Sequence, residues 1–244
     1  NLNQILLESN TYGNSNLGKN KKINIEYVSA NPTGPVHVAH IRGAVLGDVI
    51  SSILEATGHL VTREYYVNDT GSQITVLGNS LFKRYKQIFG NNVEISSDEY
   101  PGEYLISLAK IIANSDKDIW LKEIEEKRRK YFEQFAIAKI IKSIQKDLKS
   151  ININFDCFTY ESEIVEKKII EKVFLLLKNK DLLYEGILEK PKGIDQKNWK
   201  PRKQLLFRSS RFSDVDDRPF KKANGEWTYF ANDSAYHYDK YSRN

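Results

Sequence analysis

The pattern of apolar and polar residues predicts alternating strands and helices in the first third of the chain. Residues 23 to 28 are mostly β-branched or aromatic, which is typical of a strand, and a cluster of Asn, Pro and Gly residues follows them. From about His40, apolar residues recur with the spacing of a helix, and Gly58 is placed to end that helix near Thr57. Residues 60 to 67 again favour a strand. This order predicts a β-α-β unit with two parallel strands.

The rest of the chain predicts a helical middle section followed by a mixed section. Helices are expected over residues 72 to 89, 103 to 114, 119 to 148 and 162 to 180. Strands are expected over residues 155 to 158, 182 to 188, 204 to 207 and 226 to 231. Ile124 is expected in the buried stripe of the long helix, and Asn232 is expected to cap a last helix. The predicted fold class is α/β, a doubly wound, Rossmann-like parallel sheet with a mostly helical insertion.

The loop between the first strand and the first helix is the candidate site for chemistry. The N-terminus of the helix directs unpaired N–H groups and the positive end of its dipole at this loop, which suits a phosphate group. His37 and His40 stand three residues apart at this point. If the first helical turn begins near His37, both rings share one face and can donate to one anion. The loop has neither the GxxxxGK[ST] nor the GxGxxG pattern of the common phosphate-binding loops.

Composition excludes several classes of protein. Of the 244 residues, 40% are hydrophobic and 28% are charged, as in a globular protein, and no apolar run approaches the roughly 18 residues of a membrane span. The first residues lack the features of a signal peptide, so we expect a cytoplasmic protein. The single cysteine, Cys157, excludes an internal disulfide, and the four histidines lack the spacing of zinc ligands.

Positive charge is concentrated in the last third of the chain. The net charge is +5, and residues 178 to 222 contain thirteen Lys or Arg residues against seven Asp or Glu residues. The density is highest from Lys190 to Lys203. Such a stretch suits a polyanion, and a solvated loop is the alternative interpretation.

Residues 29 to 44 carry the most informative motif. Residues 37 to 40 read HVAH, between Asn-Pro-Thr-Gly-Pro and Arg-Gly-Ala. This resembles the HIGH signature of class I aminoacyl-tRNA synthetases, with Ala39 in place of the usual glycine. The segments SANPTGP at residues 29 to 35 and YVNDTG at residues 66 to 71 resemble the bacterial arginyl enzymes in particular. The resemblance implies a class I catalytic domain of the HUP type.

The resemblance also implies the residues of the site. The implied catalytic residues are His37 and His40. The implied ATP-binding residues are Pro35, His37, Ala39, His40 and Gly43. The implied arginine-binding residues are Glu26, Ser29, Asn31, Tyr229 and Asp233, with His237 as a possible addition. Carboxylates, an amide and an aromatic ring are the groups that a planar guanidinium requires.

The implied activity is that of an arginine–tRNA ligase. Its substrates would be L-arginine, ATP with Mg²⁺ and tRNA(Arg), its products would include AMP and pyrophosphate, and it would need no zinc, haem or flavin. We expect a monomer with no membrane partner. Two alternatives stay open: an HxGH-type nucleotidylyltransferase, and a truncated, synthetase-like module that binds tRNA without catalysis.

The resemblance further implies a division into segments. Residues 1–22 would be a linker from a missing N-terminal domain, 23–89 the first half of the nucleotide-binding catalytic domain, 90–150 a helical insertion and 151–244 the second half. A KMSKS-like loop and a helical anticodon-binding domain, both found in the family, do not occur before Asn244. We therefore expect a portion of a larger enzyme.

Overall fold

A computed structural model describes residues 2–188 and 201–243, and the chain forms two compact units, Asn1–Tyr160 and Glu161–Asn244. Residues 190 to 200, which make up most of the predicted basic stretch, lie outside the described residues. Among the described helices, none is both long and apolar enough to cross a membrane.

The described part of the first unit contains a parallel sheet of three strands in the order β1-β2-β3. Its elements in chain order are α1 (Leu2–Glu8), β1 (Lys22–Glu26), α2 (Val38–Ala56), β2 (Leu60–Val67), α3 (Ser72–Ile88), α4 (Glu103–Asp116), α5 (Ile119–Lys122), α6 (Glu125–Ser150) and β3 (Cys157–Tyr160). Because α2 links two parallel neighbours, the predicted β-α-β unit is confirmed, and with it the α/β fold class.

The helical section of the first unit packs α3 against α4 and α6 around one core that includes Tyr85, Leu105, Phe132 and Ile144. The single helix predicted over residues 119 to 148 is divided into α5 and α6. Ile124 takes an extended conformation at the break and is 65% exposed, so its predicted place in the buried stripe is wrong. Apolar periodicity continues across the break, and therefore it could not reveal the interruption.

Helix α2 presents small residues to the sheet and large ones to the outside. Its buried residues are Ala44, Gly47 and Ser51. A Cβ atom on Gly47 would lie 2.2 Å from Cγ of Tyr27, so glycine permits this close approach. The outward face is aliphatic and exposed, with side chains from Val45, Leu46, Val49, Ile50 and Ile53.

Arg63 on β2 joins α2 to the sheet. Its guanidinium donates two hydrogen bonds to Glu55, at 2.5 and 2.8 Å, and its Nε donates a longer one to Asp48 at 3.4 Å. The hydrogen bonds from Arg63 hold the pKa of Glu55 below its ordinary value. These contacts fix the orientation of the helix whose N-terminus forms the candidate site.

The second unit has its own antiparallel sheet and its own core. Its described helices and strands are α7 (Glu161–Glu166), α8 (Ile169–Asn179), β4 (Leu183–Gly186), β5 (Gln204–Phe207), β6 (Arg218–Lys221) and α9 (Tyr229–Arg243). The described strands pair in the order β4-β5-β6. The helix predicted over residues 162 to 180 is divided at Lys168, which has a left-handed conformation with φ 53°.

Two predictions for the second unit are wrong. Residues 226 to 231 do not form a strand, because α9 begins at Tyr229. Asn232 therefore lies inside the helix, and Thr228 precedes its first turn, where its hydroxyl oxygen accepts a hydrogen bond from the N–H of Ala231 at 3.3 Å. The Trp, Thr, Tyr and Phe residues of this segment favour a strand by propensity, but a threonine N-cap outweighs that preference here.

Candidate functional site

The loop after β1 begins with two left-handed residues. Val28 and Ser29 have φ values of 66° and 40°, and such a conformation is rare for a β-branched residue and costs roughly 1–3 kcal/mol. Strand β2 holds this turn at two points. The N–H of Tyr66 donates to Oγ of Ser29 at 3.1 Å, and the hydroxyl of Tyr65 donates to the carbonyl of Ala30 at 2.8 Å. The turn therefore has a fixed geometry at the carboxyl edge of the sheet.

Two helices hold the next part of the loop. Nδ2 of Asn31 donates to Oε1 of Gln73 in the first turn of α3, at 3.0 Å. The hydroxyl of Tyr104, on α4, donates to the carbonyl oxygen of Thr33. The segment that leads to the histidines is thus fixed by side chains from three different elements.

His37 and His40 form a stacked pair at the start of α2. His37 is the N-cap residue with an extended backbone, and His40 is the third helical residue. Their ring centroids lie 3.7 Å apart with an angle of 22° between the planes. This confirms that the two rings share one face of the first turn. The N–H of His37 donates to Nδ1 of His40 at 3.3 Å, which resembles one half of a capping box.

The environment of His40 favours its neutral form. Burial, and then the neighbouring ring of His37, hold the pKa of His40 below its ordinary value. Because Nδ1 accepts the hydrogen bond from the backbone, a neutral ring carries its proton on Nε2. His40 can therefore donate one hydrogen bond to an anion from Nε2–H.

The surface around this pair is open. Val38 and Ala39 are exposed, and their N–H groups occupy the first turn, where a helix offers no internal acceptor. A Cβ atom built on Gly43 would have no atom within 4 Å. Pro35 is exposed at the end of the loop. The predicted ATP-binding residues therefore line an accessible surface at the N-terminus of α2.

The predicted arginine-binding residues of the first unit lie at the carboxyl end of β1. Glu26 is the last residue of the strand and stands opposite Glu64 of β2 in the sheet register. Ser29 is half-buried in the left-handed turn, and Asn31 is exposed. The structure thus places these three residues within one short segment.

The predicted residues of the second unit lie on α9. Tyr229 is its first residue, and Asp233 and His237 follow at intervals of four, so the three share one helical face. All three are exposed, and Tyr229 is exposed to 79%. The opposite face packs into the core of this unit through Ala231 and Ala235.

A buried acid beside the site was not found from the sequence. Glu64 is 0% exposed, and its carboxylate accepts hydrogen bonds of 2.5 Å from Nδ2 of Asn24 on β1 and from Oγ1 of Thr159 on β3. These residues belong to three neighbouring strands. The sequence contained one usable signal, since polar residues at alternate positions of buried strands suggest a polar sheet face. The loop contacts of Tyr65, Gln73 and Tyr104 had no such signal.

Within 2–188 and 201–243, no group of three or more His, Cys, Asp or Glu side chains is arranged to hold a metal ion.

Comparison with known proteins places the chain among the tRNA synthetases. Residues 1–235 match the family described as tRNA synthetases class I (R), catalytic domain. The arginine–tRNA ligase of Ehrlichia chaffeensis is 45% identical over 228 residues, which is 93% of this chain and 40% of the relative. That of Wolbachia pipientis is 43% identical over 242 residues, which is 99% of this chain and 42% of the relative.

The fold has a close counterpart among solved structures. A Campylobacter jejuni protein assigned as an arginyl-tRNA synthetase superimposes with a TM-score of 0.81 at 31% identity, covering 99% of this chain and 49% of that one. The chain thus spans less than half the length of the proteins it resembles.

Proposed function

Because the chain belongs to the family of class I tRNA synthetase catalytic domains of the arginine type, we propose that its protein activates L-arginine with ATP and transfers it to tRNA(Arg). The observation that supports this most directly is the stacked pair of His37 and His40 at the N-terminus of α2, on a loop fixed by three elements. Family membership does not favour the nucleotidylyltransferase or the non-catalytic tRNA-binding module.

The reaction would proceed in two displacements. In the first, a carboxylate oxygen of arginine forms a bond to the α-phosphorus of ATP, and the bond from that phosphorus to pyrophosphate breaks. In the second, the 2′-hydroxyl oxygen of the terminal adenosine of tRNA bonds to the arginyl carbonyl carbon. The bond from that carbon to the phosphate oxygen of the mixed anhydride breaks, AMP leaves with its electrons, and the hydroxyl proton passes to a phosphate oxygen or to water. Neither step requires a nucleophile from the protein.

The protein would contribute position and charge stabilisation. Negative charge grows on the phosphate oxygens as the α-phosphorus is attacked, and preorganised N–H donors stabilise it without reorganisation. Nε2–H of His40, the ring of His37 and the first N–H groups of α2 are such donors. The open space over Gly43 would let the nucleotide approach the helix closely.

Arginine recognition is assigned to two groups of residues. Glu26, Ser29 and Asn31 offer a carboxylate, a hydroxyl and an amide at the end of β1. Tyr229 and Asp233 offer a ring and a carboxylate on one face of α9, and His237 follows on the same face. These are the groups that bind a guanidinium, an ammonium and a carboxylate, and they match the positions implied by the family resemblance.

Mg²⁺ enters this proposal as a companion of ATP. It would be bound by the phosphate oxygens of the nucleotide, as Mg²⁺ is in many nucleotide sites. We also retain, as parts of the same proposal, the division into segments at residues 22, 89 and 150, a monomeric state and a cytoplasmic location.

The test is aminoacylation by the full-length protein. Bulk tRNA is charged with each labelled amino acid in turn, in the presence of ATP and Mg²⁺, by the wild type and by His40→Ala. We expect charging with arginine alone and a loss of rate of roughly a hundredfold or more in the variant, because one donor to the developing charge is removed. His59→Ala, beyond the other end of α2, should keep the wild-type rate.

One result would contradict the proposed activity, and another would contradict the assignment of the phosphate site. If the folded wild type charges no tRNA with arginine, one of the two alternative functions gains support. If His40→Ala charges arginine at the wild-type rate, the enzyme is an arginine ligase whose phosphate site lies elsewhere.

A further inference from the structure

Tyr104, in the first turn of α4, contacts the loop that leads to the histidine pair. Its hydroxyl donates a hydrogen bond to the carbonyl oxygen of Thr33, and its ring lies beside Gly34. A Cβ atom on Gly34 would be 3.5 Å from the hydroxyl oxygen, which is ordinary contact distance. Burial raises the pKa of Tyr104 to about 12, so the hydroxyl keeps its proton at neutral pH.

A glycine makes room for this ring. Gly102 is the N-cap residue of α4, and a Cβ atom there would lie 2.2 Å from Cε1 of Tyr104. The φ of Gly102 is −55°, a value that any residue can adopt, so space rather than backbone conformation requires glycine. Without a side chain at this position, the ring of Tyr104 folds back across the start of its own helix and reaches Thr33.

This contact differs from the other loop contacts in its origin. Tyr65 and Tyr66 belong to the central strand of the sheet, and Gln73 follows that strand directly. Tyr104 comes from the helical section that follows α3, and its acceptor lies four residues before His37. Of the four contacts at Ser29, Ala30, Asn31 and Thr33, it is the one nearest in sequence to His37.

We propose that Tyr104 is a positioning residue for the ATP site, and that it fixes residues 33 to 36 so that Pro35 and His37 are held where the phosphates would lie. The inference rests on the proposed function, since it assigns a supporting residue to the same site. The proposal gives α4, in the helical section, a role in positioning the residues of the ATP site. It predicts that loss of the hydroxyl affects the rate of activation more than the binding of arginine.

Three variants of the full-length protein test this role. Tyr104→Phe removes the hydroxyl and keeps the ring. Gly102→Ala keeps the hydroxyl but displaces the ring, because its Cβ occupies the space of Cε1. Tyr85→Phe is the matched control, since the Tyr85 hydroxyl also donates to a backbone carbonyl, that of Lys117, within the helical section.

The kinetic readout is arginine-dependent exchange of pyrophosphate into ATP, with tRNA(Arg) present. We expect kcat to fall about tenfold in Tyr104→Phe and in Gly102→Ala, with the KM for arginine unchanged, because a displaced loop misplaces donors that act in the transition state. Tyr85→Phe should lower the melting temperature and leave kcat unchanged. Equal kcat values in Tyr104→Phe and the wild type would overturn the proposal.

A second readout does not depend on activity. Hydrogen–deuterium exchange of the peptide covering residues 28 to 36 should be faster in Tyr104→Phe than in the wild type, and unchanged in Tyr85→Phe. If the wild type does not charge arginine, the proposed function fails, and exchange still decides whether Tyr104 holds the loop. Identical exchange in Tyr104→Phe and the wild type would show that it does not.

Discussion

The stacked rings of His37 and His40 are electrostatically coupled. Two imidazolium rings whose centroids lie 3.7 Å apart would repel each other, and protonation of His40 at Nδ1 would also remove the acceptor of the His37 N–H. Both effects oppose a charge on His40. Burial of the ring, which is the larger cause of the lowered pKa, and then the neighbouring His37 keep the Nε2–H of His40 available as a neutral donor to phosphate near neutral pH.

We therefore expect His40 to titrate below its ordinary pKa of 6.5, and His37→Ala to move its pKa back toward that value. Titration of the ring protons by NMR measures this directly, and His59→Gln is the control that should leave His40 unchanged. A His40 pKa that is the same in His37→Ala and the wild type would contradict the coupling.

The coupling also has a consequence for stability. A lowered pKa in the folded state means that the unfolded chain binds more protons between that pKa and 6.5. The contribution of neutral His40 to the free energy of unfolding is therefore fully present above pH 6.5. It is lost as the pH falls through the pKa of folded His40. His37→Ala should reduce this part of the pH dependence of the free energy of unfolding.

Sequence reasoning reached the histidine pair but not what supports it. The spacing of His37 and His40 predicted a shared face, because the helical period is known. The left-handed conformations of Val28 and Ser29 had no signal, since β-branched residues disfavour positive φ and the local pattern favours a strand. The contact from Tyr104 crosses 71 residues, and a single sequence does not reveal such a contact.

At the scale of elements, helices with strong end signals were predicted well. Helix α2 ends at Ala56 as expected, because Gly58 takes φ 86° just beyond it. The breaks at Ile124 and Lys168 involve neither glycine nor proline, so the pattern continued through them. The strand predicted before α9 failed because a short aromatic segment carries signals for both strand and helix cap.

Two glycines of α2 should respond to the same substitution in opposite ways. Gly43→Ala adds a Cβ to open space, so we expect a gain of roughly 0.5–1 kcal/mol from helix propensity. Gly47→Ala places a Cβ 2.2 Å from Cγ of Tyr27, so we expect a loss of about 1–3 kcal/mol as the helix moves away from the sheet. Urea unfolding of both variants measures the difference.

The Gly43→Ala variant also tests where the nucleotide binds. If ATP lies over the first turns of α2, the added methyl of Gly43→Ala should raise the KM for ATP although the protein becomes more stable. Unchanged stability in Gly47→Ala would show that α2 adjusts to the sheet at little cost. An unchanged KM for ATP in Gly43→Ala would place the nucleotide away from this surface.

At the scale of the whole molecule, the aliphatic outer face of α2 is the most conspicuous apolar surface next to the proposed site. Leu46 is 62% exposed and Ile53 is 58% exposed, and they lie on the same side of the helix two turns apart. Contiguous apolar surface of this kind favours association in water. It also differs from the face that packs on the sheet, where the residues are small.

The monomeric state proposed above concerns the full-length protein; for the isolated polypeptide of residues 1–244, we expect self-association through this face as its concentration rises. The double variant Leu46→Glu with Ile53→Glu should shift sedimentation velocity profiles toward the monomer across a concentration series, and it should bind less of a hydrophobic dye, because two charges would have to be desolvated on association. Both positions are exposed, so the free energy of unfolding should change little.

Ala138→Glu adds a charge at an exposed position of α6 and serves as the control. If the double variant associates as strongly as the wild type, another apolar surface is responsible, and the exposed leucines of α1 would be examined next.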